Sequence, residues 1–133
     1  MRLTRGLLAV TGTAAVLALA GCGSGDTTAS VPPTATGSLE SLAAEVKCSP
    51  DIQLDVDDLR QARCTTKGGR FILATFATDR GQREWINEAK DYGGFYLVGR
   101  KWVAVGDDKV VKVLRGTLGG DLEIGTDHSG HVG

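Results

Sequence analysis

The apolar positions of this chain change period several times, and each change marks an element. Leu39, Leu42, Ala43 and Val46 recur at helical spacing behind Ser38, a natural N-cap, with Glu40 in the first turn. This predicts a first helix that Pro50 ends. A weak strand follows over 52–56. Residues 61–66 and 70–77 then flank Lys67, Gly68 and Gly69, which have the composition of a tight hairpin turn. On the second of these strands Phe71 and Leu73 point one way, and Ile72, Ala74 and Phe76 the other. It is therefore expected at the centre of a sheet covered on both faces.

Further along, Thr78 and Asp79 offer a cap for a helix running to Tyr92. Gln82 lies three residues past Asp79, as in a capping box, and Trp85, Ile86, Ala89 and Tyr92 form the expected buried stripe. Gly93 and Gly94 stop it. Residues 95–98 and 102–105 make a second hairpin about Gly99, Arg100 and Lys101, after which Asp107 or Asp108 can cap a last helix. Val110, Val113, Leu114 and Leu118 keep helical spacing there. Their β-branching leaves a strand reading open, but the aspartates before and Gly119 and Gly120 after favour helix. The order α, weak β, ββ, α, ββ, α predicts one small α+β domain over 38–120. Its sheet, antiparallel or mixed, would consist of two hairpins plus a weak strand, with helices packed on it. Residues 121–133 read as a flexible tail.

Upstream of Ser38 no such period exists. Arg2 and Arg5 precede an apolar run over 6–18 that is too short to span a bilayer comfortably. Leu19, Ala20, Gly21 and Cys22 follow, and they resemble the lipobox of a bacterial lipoprotein signal peptide. The resemblance implies that residues 1–21 are a signal peptide and that a diacylglycerol thioether forms on Cys22. Cleavage would follow Gly21, leaving the protein lipid-anchored at the extracytoplasmic face of the cell membrane. An uncleaved anchor with Cys22 incidental is the alternative. Each buried methylene of a lipid chain contributes about 0.8 kcal/mol and one chain holds only reversibly, so two on one cysteine make a stable anchor. Residues 22–37 then form the lipidated N-terminus and a flexible linker of Gly, Ser, Thr, Ala and Pro, with Asp26 its single charge. Fifteen such residues span about 20 Å as a coil.

Charge narrows the partners. Without Arg2 and Arg5 the chain carries 13 basic and 16 acidic residues, a net charge of −3 with both signs interspersed. That argues against a nucleic-acid binder, and also against a polybasic membrane-binding face. Nine arginines against six lysines, with abundant Gly and Ala, suggest a high-GC genome.

If Cys22 is consumed by lipid, Cys48 and Cys64 remain as an even pair in a domain folding outside the cytoplasm, where a disulfide is the expected outcome. A catalytic thiol is the rival, but there is no CxxC and no histidine in the predicted domain. Other chemistry is sparsely represented. Asp127, His128 and His131 make a D-H-x-x-H run, but in a Gly-rich tail where a solvated chain is favoured over a metal site. Asp55, Asp57 and Asp58 lack the glycine and terminal glutamate of a calcium loop. Glu84 and Glu88 share a helix face with Arg80 and Arg83, the pattern of a wet surface rather than a carboxylate pair for hydrolysis. Arg60, Arg63, Lys67 and Arg70 read as charges protecting a sheet edge, ahead of anion binding. No phosphate loop and no nucleophile elbow is present, and no cofactor is expected.

Residues 62–106, notably Arg63, Cys64, 74–79, Trp85, Tyr92, Gly93, Gly94, 96–99, Trp102 and Val103, resemble small actinobacterial lipoproteins of unknown function. The resemblance supports a lipid-anchored domain with a disulfide and carries no catalytic residues. The expected function is thus a non-catalytic, lipid-anchored extracytoplasmic binding or accessory module. Its partners would be the membrane, through the lipid, and an envelope protein or component. A small-ligand or ion sensor is the competing class, and a small hydrolase the third. The candidate contact surface is Arg100, Lys101 and Trp102 with Tyr96 on the partner strand, since aromatics with arginine compose binding hot spots. For Trp102 the alternative is a place in the sheet's core.

Overall fold

The strand with two apolar faces, Gly69–Phe76 (β3), lies inside the sheet with a neighbour on each side. The computed structural model describes residues 30–126. Around β3 run α1 (Leu39–Glu45), β1 (Asp51–Val56), β2 (Leu59–Thr66), α2 (Asp79–Ala89), β4 (Phe95–Val98), β5 (Trp102–Gly106), α3 (Asp108–Leu118) and β6 (Asp121–Ile124). The strands form one sheet in the order β1-β2-β3-β5-β4-β6, with every pairing antiparallel. The domain is a mixed α+β fold. The weak strand over 52–56 is β1, an edge whose six residues are all exposed and whose register to β2 shifts between Ile52 and Leu54.

Helices cover both faces, as the alternation in β3 requires. Phe71 and Leu73 face α1 and α3 in a cluster with Leu39, Leu42, Leu97, Trp102, Leu114 and Leu118. Ala74 and Phe76 face α2 in a smaller cluster with Ile86, Tyr96, Val98 and Val103. Trp85 meets Phe76 edge-on at 5.7 Å.

Local chemistry explains the element ends. Ser38 caps α1, its hydroxyl accepting from the Ser41 amide at 3.1 Å. The helix stops before Pro50, because Lys47 adopts a left-handed φ of 60° and the amides of Lys47 and Cys48 donate back to Ala44 and Ala43. This paired closure is a Schellman motif with lysine in the place glycine usually takes. It delivers Cys48 into the core against Cys64 on β2, and the two sulfurs are joined at 2.00 Å.

Several expectations are corrected. Tyr92 is 87% exposed rather than part of the α2 stripe. The helix tightens into a 3-10 turn over Lys90–Tyr92, whose larger rotation per residue swings Tyr92 off the buried face. Thr78, not Asp79, caps α2, its hydroxyl accepting from Gly81 at 2.9 Å, so Gln82 closes no capping box. On α3 the buried stripe is Val110, Val111, Leu114 and Leu118, with Val113 facing out.

The boundaries at both ends also move. Residues 121–124, expected in a flexible tail, form β6, which pairs with β4 and places Leu122 against the larger core cluster. The linker does not stay free up to residue 37. The Ala35 amide donates to the Leu118 carbonyl at 2.8 Å, and the buried Trp102 indole N–H donates to the Ala35 carbonyl at 2.8 Å. A buried indole N–H needs an acceptor, and the strap of residues 32–36 supplies it. Gly119 makes room for this strap. Its φ is +71°, and a side chain there would run into the carbonyl oxygens of Pro32 and Pro33. Among the described residues no helix is long and apolar enough to cross a membrane.

Candidate functional site

The turn between β4 and β5 is held more tightly than its exposure suggests. At its first residue, Gly99, a Cβ would come within 2.0 Å of the Trp102 indole, so only glycine lets the ring lie beneath the turn. The Gly99 amide donates to the Trp102 carbonyl at 3.0 Å, closing the hairpin. From α2, the buried Gln82 side-chain amide donates to the carbonyls of Gly99 and Trp102 at 2.6 and 2.8 Å. Asp79 accepts from the Lys101 amide at 3.1 Å, and the Lys101 carbonyl accepts from the Phe76 amide at 2.9 Å. Lys101 itself has a left-handed φ of 62°, a conformation that costs a lysine about 1–2 kcal/mol and persists where both backbone groups are held.

What this scaffold presents is two cations. Arg100 and Lys101 are exposed, and neither side chain has an ion partner among the described residues. The expected quartet therefore divides. Trp102 is fully buried and Tyr96 nearly so, its hydroxyl donating to the Gly93 carbonyl. The expectation that both aromatics belong to the contact surface is therefore corrected: Trp102 takes the core alternative and Tyr96 joins it in the core, because they start and cross strands whose faces lie under helices. Burial also raises the Tyr96 pKa above its ordinary value.

Two open clefts meet at the turn, with the strap between them. One of about 540 Å³ is lined by Thr36, Ser38, Arg60, Thr75, Arg100 and Lys101. In it, Arg60 is already matched: it binds Glu40 through two bonds of 2.8 and 2.7 Å and Asp55 at 3.1 Å. The hydrogen bond from Arg60 holds the Glu40 carboxyl down at about 2, and Glu40 in turn raises the Arg60 pKa. The unbalanced positive charge in this cleft is therefore that of Arg100 and Lys101.

The other cleft, about 420 Å³, is lined by Thr34, Asp79, Arg83, Arg100, Asp121 and Glu123, and its charges are mixed. Glu123 on β6 is clasped by Arg83 at 2.8 and 2.7 Å and by Lys90 at 2.6 Å. The bonds from Arg83 lead in holding its carboxyl at about 2 against the opposing effect of burial, and Lys90 adds to them. The clasp fastens the sheet's last strand to α2.

The other singled-out residues do not gather. Asp55 is turned to Arg60, Glu84 bonds Arg80 at 3.1 Å on the open side of α2, and Arg63 lies 3.8 Å from Asp51. No group of three metal-ligating side chains is present among the described residues, and Asp127, His128, His131 and Cys22 lie outside them. Sequence reasoning missed Gln82 and the strap. For Gln82 a signal existed, since it shares the helical stripe of Ile86 and Ala89, where an amide needs partners. Compared with protein-family models, curated proteins and solved structures, the chain matches none.

Proposed function

We propose that the chain is a lipid-anchored, non-catalytic binding module of the cell envelope that meets an acidic partner through Arg100 and Lys101. The observation that carries the reading is the turn itself: a strained backbone, bonded on three sides, that displays two unmatched cations above an open cleft. Backbone strain retained by surrounding bonds is typical of recognition sites, and pre-organisation lowers the entropic cost of contact. The anchoring half of the proposal rests on the lipobox resemblance at Cys22. Pockets that enclose small molecules are largely apolar and concave, whereas the two clefts at the turn are open and lined by several charged side chains, which favours a macromolecular partner over a small-ligand sensor.

A photo-crosslinking amino acid at position 36, an exposed wall of the cleft beside Arg100 and Lys101, with position 84 on the open side of α2 as control, tests the reading in intact cells. One discrete protein adduct from position 36 alone supports it. Equal adducts from both positions, or none, contradict it.

A further inference from the structure

We propose that the outward side of α3, together with the β2–β3 turn beside it, rests on the headgroups of an anionic lipid bilayer. The proposal builds on the reading of Cys22 as a lipid anchor and adds a second contact made by the protein itself. Its first support is where the described chain begins. Ser30 and Val31 line a cleft of about 320 Å³ on the flank of α3, together with Lys112, Arg115 and Leu122. Eight residues lead from Cys22 to Ser30. They reach at most about 28 Å when extended, and about 16 Å as a flexible coil. A lipid on Cys22 therefore draws this side of the molecule toward the membrane, with α2 on the opposite side of the sheet.

The second support is the chemistry of that side. Lys109, Lys112, Val113, Gly116 and Thr117 form an exposed stripe at helical spacing. Val113 is 59% exposed and Val31 45%, so aliphatic groups stand at the surface here. Beyond Val113 a further cleft of about 410 Å³ has Val46, Val113 and Leu114 in its wall and Lys47 and Lys67 at its rim. Neither lysine has an ion partner among the described residues.

The carboxylates on this side are Glu45, Asp107 and Asp108, the last paired to Lys112 at 2.9 Å. The cations there are Lys47, Lys67, Lys109, Lys112 and Arg115, five against three, a local positive excess that the negative net charge of the whole chain conceals. The outward side of α2 instead carries Glu84 and Glu88 beside Arg80. Aliphatic side chains flanked by lysines suit the boundary between headgroups and acyl chains, and each cation near an anionic surface adds to the attraction.

An environment-sensitive dye on Val113→Cys, or on Glu84→Cys as control, reads the contact in the lipidated full chain. The chain is reconstituted in phosphatidylcholine vesicles with and without phosphatidylglycerol, part of the lipid being brominated as quencher. Quenching is expected at position 113, absent at 84, and dependent on phosphatidylglycerol. The unlipidated Cys22→Ser chain should bind the anionic vesicles weakly, and Lys47→Glu with Lys67→Glu should cost about thirtyfold or more of that affinity. Equal quenching at both positions, or quenching indifferent to lipid charge, overturns the proposal. A wild-type chain that fails to float with vesicles contradicts the anchor alone. The Cys22→Ser chain still reports on the face, and its failure to bind anionic vesicles overturns the proposal on that side too.

Discussion

The two faces of the sheet are held by different means. On the side of α1 and α3, fifteen buried residues, the disulfide-bonded Cys48 and Cys64 among them, pack with the docked strap. On the side of α2, six buried residues support one helix, and polar bonds do much of the fastening: Gln82 to the turn carbonyls, Asp79 to Lys101, and Arg83 and Lys90 to Glu123. Burial is strong but non-directional, whereas hydrogen bonds fix geometry for a modest net energy. The first face accordingly supplies most of the stability, and the second sets the conformation of the turn. Arg100 and Lys101 stand where the two meet, since Trp102 belongs to the first face and Gln82 to the second.

The largest effect should come from breaking the first face. Trp102→Ala removes a fully buried indole, the support beneath Gly99 and the donor to Ala35. A loss of about 3–5 kcal/mol in chemical denaturation is expected. Release of the strap should also make backbone amides near Ala35 exchange faster. Reduction of the disulfide comes next. Its removal reopens a loop of fifteen residues between the cysteines, so reductant should lower stability by about 3 kcal/mol, seen as a lower denaturation midpoint.

The second face should respond less in stability and more in geometry. Gln82→Ala strands the carbonyls of Gly99 and Trp102 at a cost of about 1–3 kcal/mol. Altered chemical shifts confined to the β4–β5 turn would show that the amide orients it. Glu123 offers a pH test. Its carboxyl is held at about 2 in the fold against an ordinary value of 4.5. It therefore contributes fully above pH 4.5, and the contribution drains away as pH falls through 2. Because the clasp is partly exposed, that contribution is about 1–2 kcal/mol. Glu123→Gln should flatten the stability profile in this acid window while leaving its slope at neutral pH unchanged.

How much of this was legible in the sequence follows the same division. The apolar face could be read: alternation in β3 placed Phe71 and Leu73 opposite Ala74 and Phe76, and the helical spacing found α1, α2 and α3. Periodicity registers burial, and burial dominates there. The features it missed are polar or short. β6 has only Leu122 and Ile124 to alternate, and its attachment comes from pairing with β4 and from Glu123, which a pattern of apolar residues cannot register. The strap docks through the backbone amide and carbonyl of Ala35, groups that every residue but proline carries. Tyr92 was misplaced because a 3-10 turn changes the period at its last step. That Arg100 and Lys101 lie exposed at a turn was legible in composition, but not the bonds that hold the turn, because those come from Asp79 and Gln82, about twenty positions away.

The most direct test of the account is the double variant Arg100→Ala with Lys101→Ala in the full chain, followed by both melting and partner capture. Neither side chain carries a bond that the fold needs, so stability should stay within about 0.5 kcal/mol of the parent. Crosslinked partner yield should fall about tenfold or more, as expected when central cations of a contact are removed. Undiminished capture at unchanged stability would contradict the claim that the rigid cationic turn is where this molecule meets its partner.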